Sequence, residues 1–527
     1  MTDRPAFNLL DEPWIPVRTH AGKVIEVSLS DALLRARDYA AVAETSPPNL
    51  IALYRLLLAV LHRALTTQHD QWRDADRARW FCEGLPEAPI RTYLEHWRDR
   101  FWLFHPSEPF MQVAVLADAA ETQGKLKAIT QITLEGANGN TPVVFDHSLD
   151  DTPSAVTFAL ACRNLLGFLQ FTPGGLVKSV RDSDKAGPLA NTAAIMPTGT
   201  NLSETLLLSL HPFDVRRLDD LPSWERSKPT IDMLRAHPTL ASGPNDRYTR
   251  LSRAVLLSPV TGEIGTAREV RQLRFSAGLA LEEDPNAPDP MACYRINKEG
   301  KAIRVSYSEG RALWRDLPSL VPDPSKSSDI PAAVLGWAAN LYSALGEWDA
   351  PIQILSAGLA SDKAKLLRWR AECIELPQAL LTQTDAAAFL RIQIRFAEET
   401  YSRLRSLCTG MIAQAMPDPG HKDTKARAKA ILANGPASAV FFSAAERALP
   451  RLMQQIATGD FDVADRDWKA TLAEAAKQSW TATRHSLGDS TAVLRADART
   501  WPRFIGLLNT LVPPSPAATA TPEEVTA

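Results

Sequence analysis

Residues 389–411 read FLRIQIRFAEETYSRLRSLCTGM, and the spacing of their apolar side chains decides the architecture of the C-terminal part of the chain. Phe389, Ile392, Phe396, Leu404, Leu407 and Met411 recur at helical intervals, which places them on one face of a long helix. Pro417 and Pro419 stop that helix, because a proline nitrogen has no proton for the next backbone bond. Val440 to Ile456, Asp465 to Trp480 and Thr491 to Leu511 repeat the amphipathic spacing, with Pro450 and Pro502 as breaks or kinks. Four or so such helices on short connections predict an up-and-down bundle over residues 376–512. Residues 513–527 are rich in Pro, Ala and Thr, end acidic, and are expected to be disordered.

Upstream the pattern is different. Phe7 to Val17, FNLLDEPWIPV, is apolar and punctuated by proline, as an edge strand or anchored extended segment is. Lys23 to Ser28 alternates like the second strand of a hairpin. Asn49 to Leu65 has helical spacing; its apolar run is broken by Arg55, His62 and Arg63, and a membrane span needs about 20 apolar residues. A Trp/Arg-rich helix is expected around Arg91 to Phe101, and a buried one from Pro153 to Phe171. Thr172 to Pro290 is irregular, with short apolar runs such as Thr205 to Leu210 among many prolines and glycines. Arg295 to Tyr307 alternates around Lys298-Glu299-Gly300, a hairpin with a basic tip. The expected fold class is α+β: a mixed α/β domain over 1–375, then a C-terminal four-helix bundle.

A chain of 527 residues is expected to hold two to four domains, at ~100–200 residues each. The five cysteines have neither CxxC spacing nor a pairing rhythm, which fits a reducing cytoplasm and argues against a disulfide framework or zinc ribbon. The N-terminus lacks an apolar signal core. A net charge of −3 gives no support to a protein that grips DNA alone, so nucleic-acid contact must come from local basic patches or from partners.

No motif for catalysis stands out. GGLVKS at Gly174 to Ser179 lacks the GxxxxGK[ST] spacing of a phosphate cradle, and neither GxSxG nor HExxH occurs. Asp146 and His147 with Asp150 and Asp151 are the best metal or nuclease candidates, although helix capping is the preferred reading. Asn138, Gly139 and Asn140 lie in a polar loop that is either functional or an ordinary surface connection. Gly174 and Gly175 allow close backbone approach, and Lys178 is placed to meet a phosphate; a plain turn after a helix is the competing reading. Lys298 and Lys301 suit a groove or a solvated turn. Ser361, Asp362 and Lys363 read as a tight turn, with Lys365, Arg368 and Arg370 adding charge beside Trp369.

Taken in order, these pieces resemble the CasA family, the large subunit of type I-E CRISPR Cascade. The opening FNLLDEPWIPV carries most of the likeness, and FWLFHPSEPFMQV (Phe101 to Val113), NGNTPVVFDH (Asn138 to His147), LPSWER (Leu221 to Arg226) and GPNDRYTRLSRAVLL (Gly243 to Leu257) add to it. The resemblance implies a non-catalytic subunit that checks a protospacer-adjacent motif in double-stranded DNA and starts strand separation. It implies other Cascade subunits, CRISPR RNA and a recruited helicase–nuclease as partners, with no membrane and no cofactor. By position it implies a glycine-rich loop at Gly174-Gly175 with Lys178, a motif-reading lysine at Lys298 or Lys301, and a strand-parting wedge at Ser361-Asp362-Lys363. Asn138 to Asn140 match the family's mobile loop near guide and motif. Asp362-Lys363 stands where the family's turn carries Asn-Gln, and the cysteine zinc cluster of some members is lacking. Two rival readings are a metal-dependent nuclease using Asp146, His147, Asp150 and Asp151, and a purely structural assembly protein.

Overall fold

Two prolines in the first turn, where backbone N–H groups have no intrahelical partner, start the helix Pro47–Gln68. In the computed structural model, which describes residues 5–69, 71–136, 152–260, 268–297, 299–308, 310–323, 329–346, 351–362 and 365–513, this helix is the core of the first of two compact units. It is buried nearly all round and packs on helix Phe158–Phe171. Gly167 makes the approach possible: a Cβ there would lie 2.1 Å from Asn49 Oδ1. Arg55 and His62, which interrupt the apolar run in the sequence, are themselves buried, at 0% and 6% exposure. Among the described residues this helix alone is long and apolar enough to cross a membrane, and most of it is covered by protein.

The first unit comprises residues 1–313 and 325–375. Ala6–Asn8 pairs antiparallel with Trp102–Phe104, and Ile15–Thr19 lies between Val24–Val27 and Tyr39–Val42. Apolar residues of this N-terminal block, Leu9, Trp14, Ile15 and Val17, are fully buried. A second sheet orders Ala193–Thr198, Ile352–Asp362 and Lys365–Leu376; the first pair is antiparallel, with Ala193 opposite Gly358 and Thr198 opposite Gln353. A third pairs Arg253–Pro259 with Glu269–Ala277. Three local expectations are corrected. Arg91 to Phe101 is helix Glu87–His96 followed by a tight 3-10 turn; the run at Thr205 belongs to helix Leu202–Ser209; and Ser361 and Asp362, expected in a turn, end a strand of 11 residues that neighbours one of 12.

The second unit comprises residues 314–324 and 376–527. Its long helices are Thr384–Gln414, Ala437–Ala457, Phe461–Ser486 and Thr491–Leu511; the shorter Lys422–Ala433 packs on the first of them. Trp468, Trp480, Phe441 and Phe504 fill the interior. The buried face of Thr384–Gln414 runs through Leu390, Ile394, Ala397, Leu404, Cys408 and Met411. Ile392, expected inward, is 60% exposed, while Phe389 and Phe396 are half-buried. The α+β class holds.

Candidate nucleic-acid interface

Three hairpins of the first unit carry the sequence-derived candidates. The glycine hairpin pairs Gly175–Ser179 with Arg181–Asp184, Leu176 facing Ser183 and Ser179 facing Arg181. Its first residue requires glycine, since Gly175 holds φ +148°, a region closed to other residues. Gly174, just before it, packs on the return chain, where a Cβ would sit 3.1 Å from the Ala186 nitrogen. Lys178 is exposed in the first strand, and both it (φ 57°) and Val180 (φ 66°) hold left-handed backbone.

A buried carboxylate anchors this hairpin. Asp184 accepts from the Gly278 amide (2.7 Å) and from Arg181 Nη2 (2.7 Å), and pairs with Arg253 at 3.1 Å. Arg253, itself 3% exposed, donates to the Pro173 carbonyl (2.6 Å) on one side of the hairpin and to Lys185 (2.7 Å) on the other. Burial pulls the Arg253 guanidinium below its usual range, and the Asp184 charge opposes that pull. At the far end, Arg181 donates to the Ala236 and Gly278 carbonyls, and Ser276 Oγ to the Ser179 carbonyl (3.0 Å). The hairpin is therefore held at both ends. Nothing local marks Arg253 in the sequence; it lies within the GPNDRYTRLSRAVLL block.

The lysine hairpin pairs Tyr294–Ile296 with Ala302–Arg304. Asn297 organises its turn: Asn297 Oδ1 accepts from the Glu299 amide (3.0 Å) and the Lys301 amide (2.8 Å), and Gly300 takes φ +77°. Lys301 is exposed beside that turn, whereas Lys298 lies outside the described residues. Arg304 ties the hairpin to the chain leaving the glycine hairpin through the Pro188 carbonyl (2.7 Å), and the Val305 carbonyl accepts from the Ala193 amide (2.9 Å).

The long hairpin of Ile352–Asp362 and Lys365–Leu376 is tied to the same region. Tyr307 donates to Ser356 Oγ at 2.6 Å, and burial pushes its phenol up. Arg370 stacks over the Tyr307 ring at 4.9 Å and donates to the Arg311 carbonyl. Trp369 Nε1 donates to the Leu134 carbonyl (3.0 Å), and its ring meets Phe171 edge-on at 5.9 Å, three residues before Gly174. Trp369 thus gathers the long hairpin, the approach to the glycine hairpin and residue 134. Ser361 and Asp362 end their strand. Lys363, Asn138, Gly139, Asn140, Asp146, His147, Asp150 and Asp151 lie outside the described residues. Among the described residues no group of three or more His, Cys, Asp or Glu side chains is arranged to hold a metal ion.

Anchored hairpins that present bare backbone and lysines suit a polyanion better than a small-molecule reaction. The family description of the CRISPR-associated protein Cse1 matches residues 8–479. The CRISPR-associated protein CasA/Cse1 of Thermus thermophilus is 35% identical over 522 residues, covering 96% of this chain and 98% of that protein. The solved structure of Thermus thermophilus CasA (Cse1) superposes with a TM-score of 0.81 at 32% identity, over 96% of this chain and 100% of that one. A chain of a structure described as a CRISPR RNA-guided surveillance complex shares the fold, with a TM-score of 0.73 at 20% identity over 95% and 100% of the two chains. On the extent of these matches, the chain belongs to the CRISPR-associated Cse1 (CasA) family.

Proposed function

We propose that this chain is the non-catalytic, DNA-interrogating large subunit of a type I-E CRISPR RNA-guided surveillance complex. In this reading it works in the cytoplasm with other Cascade subunits and their CRISPR RNA, recognises the protospacer-adjacent motif in duplex DNA, starts strand separation and helps recruit the helicase–nuclease. The observation that carries the reading is the set of three hairpins, the first anchored by Arg253 and all three linked through Arg304, Tyr307 and Trp369. A site that must meet one short duplex element gains from being rigid before the DNA arrives. The labour divides as it does in other guided effectors: base pairing with the guide reads sequence, and protein reads only the motif. Parting the first base step costs about 1.4 kcal/mol, within reach of a few lysine–phosphate contacts and one inserted turn. Minor-groove readout is largely A·T against G·C, so a tolerant motif preference is expected.

The test uses assembled complex. Lys298→Ala is expected to weaken target binding by about 1–3 kcal/mol and to change discrimination among motif variants. Lys363→Ala is expected to lower strand opening on a fully paired target and to spare a target pre-melted beside the motif. Each substitution should reduce the salt slope of binding by about one. Wild-type behaviour of both variants on both targets, at several salt concentrations, removes these two residues from the interface. Turnover of DNA by the isolated chain with Mg²⁺ or Mn²⁺, lost on Asp146→Ala or His147→Ala, would put the nuclease reading in place of this one.

A further inference from the structure

His211, just after helix Leu202–Ser209, is buried, and among the described residues neither of its ring nitrogens has a hydrogen-bond partner. Asp220 Oδ2 is 3.9 Å from its Nε2, too far for such a bond. The ring lies on that of His62, with centroids 3.6 Å apart and planes 20° from parallel. Asn245 fixes the tautomer of His62: its amide nitrogen donates to the Asp220 carbonyl (3.1 Å) and to His62 Nδ1 (3.0 Å), which leaves the His62 proton on Nε2. Burial and the neighbouring Arg63 charge lower His62 to about 3, and burial beside His62 takes His211 well below its usual range. Both rings are therefore neutral, and His211 keeps one donor and one acceptor unspent. A buried polar group in that state costs stability until something meets it.

The same ring lines a cavity of about 170 Å³ whose walls include Pro212, Phe213, Leu218, Pro244 and Trp337. The arginines there are already committed: Arg63 donates twice to Glu225 (2.9 and 2.7 Å), and Arg217 faces Asp214 at 3.7 Å. The space is therefore not built for an anion. Nor does it suit a metal ion, which lies in the plane of an imidazole that binds it and cannot lie in two stacked planes at once. An apolar cavity of about 150 Å³ takes up one benzene ring, so a single planar ring fits here. Water alone would meet the imidazole but not these walls, since a buried water makes about three hydrogen bonds. We propose that the cavity is a binding site for one neutral nucleobase, free or unstacked from a strand, with His211 reading its donor–acceptor edge and Phe213 and Trp337 against its faces. A base edge carries donors and acceptors side by side, the complement of a neutral imidazole. Pockets that hold a single base combine edge hydrogen bonds with aromatic or apolar contact in this way. The site uses none of the hairpin residues, so this inference and the DNA reading can fail separately.

The experiment titrates the full chain with adenosine, guanosine, cytidine and thymidine, followed by saturation-transfer NMR and calorimetry. His211→Phe keeps a stacked ring and removes both nitrogens. Leu218→Trp adds bulk at a residue that lines the cavity yet is 62% exposed, so the fold tolerates it and the mouth narrows. At least one nucleoside is expected to bind, and each substitution to weaken it about ten- to hundredfold, as the loss of edge hydrogen bonds or of ring contact implies. His211→Phe should unfold at no lower temperature than wild type, because it leaves no buried nitrogen unmet. A trinucleotide carrying the preferred base, and the same trinucleotide with that base removed, separate the two sources. Tighter binding than the nucleoside, lost on base removal, assigns the site to a strand; a nucleoside that binds as tightly as the trinucleotide assigns it to a free ligand. No binding of any nucleoside or of the trinucleotide at millimolar concentration, or binding that both variants retain, overturns the proposal.

Discussion

Replacing Arg55 by methionine is expected to cost about 3–5 kcal/mol of stability, because it strands a buried carboxylate. Arg55 Nη2 and Asp289 Oδ2 are 2.8 Å apart with both side chains at 0% exposure, and the guanidinium lies 4.3 Å from the Tyr248 ring centroid. Burial alone would raise the Asp289 carboxyl; the charges of Arg55, Arg247 and Arg304 and the Arg55 hydrogen bond outweigh it and hold the group below its usual range. A depressed carboxyl stabilises the fold above its unfolded pKa, and that contribution is lost as pH falls through the folded value. Without Arg55 the largest opposing charge is gone, so the Asp289 pKa rises and the variant is penalised most where the carboxyl must stay ionised. The gap between wild type and variant should therefore narrow on acidification from pH 7 toward about pH 4. Denaturant unfolding across that range checks it, and a gap that widens contradicts the account. Arg55→Met with Asp289→Leu should recover most of the loss, since an apolar pair of similar volume needs no compensation. Asp289 Oδ1 also accepts the Met291 amide at 3.0 Å, just before the lysine hairpin, so on the proposed function Arg55→Met should weaken DNA binding as well.

That pair was invisible to local reading. The two residues are 234 positions apart, and an arginine inside an apolar run looks like an interruption rather than a buried ion awaiting its partner. Arg253 is the same case: the carbonyls of Pro173 and Lys185 and the carboxylate of Asp184 that it meets lie about 70 to 80 positions upstream. Periodicity, by contrast, exposes helices whose one face is buried. Thr491 to Leu511 was legible to the residue because Val493, Ala496, Thr500, Phe504, Leu507 and Leu511 all turn inward. Lys422–Ala433 was not, since it buries only Ala428 and Leu432 and has little apolar signal to read. On Thr384–Gln414 the helix was plain but its face was misplaced by a fraction of a turn, because small residues such as Ala397 carry the packing while the bulky Ile392 is left outside. The strands Ile352–Asp362 and Lys365–Leu376 were hidden by their basic stretch, which suggested a solvated face; Ser361 and Asp362, read as part of a turn, end the first of them. Lys301 and the glycine pair were singled out from turn chemistry, which is local. The residues that hold them were not, because long-range hydrogen bonds leave no local pattern.

The second large effect is expected in the second unit, on replacing Trp468 by alanine. Trp468 is 2% exposed, its Nε1 donates to the Gln393 carbonyl at 3.0 Å, and its ring stands edge-on to Trp314 at 6.4 Å. Trp314 in turn lies 6.0 Å from Phe442, so the ring links Phe461–Ser486 and Thr384–Gln414 to the 314–324 segment and to Ala437–Ala457. Truncation removes the largest apolar side chain type from a packed interior and opens a cavity that helices can close only in part, at a cost of about 3–5 kcal/mol. Trp468→Phe keeps most of the ring volume and loses the bond to Gln393, so its cost should be smaller, about 1–2 kcal/mol for the carbonyl left without that donor plus the missing ring atoms. The order Trp468→Ala, then Trp468→Phe, then wild type is the first check, by denaturant unfolding followed through helical circular dichroism. Hydrogen exchange gives the second. Protection should fall in Phe461–Ser486 and Thr384–Gln414, while Ala193–Thr198, whose amides pair with Ile352–Asp362 in the first unit, should keep its own. Equal loss of protection at Ala193–Thr198 would mean that the bundle's interior supports the whole chain, and that its stability is not carried by the helices Trp468 joins.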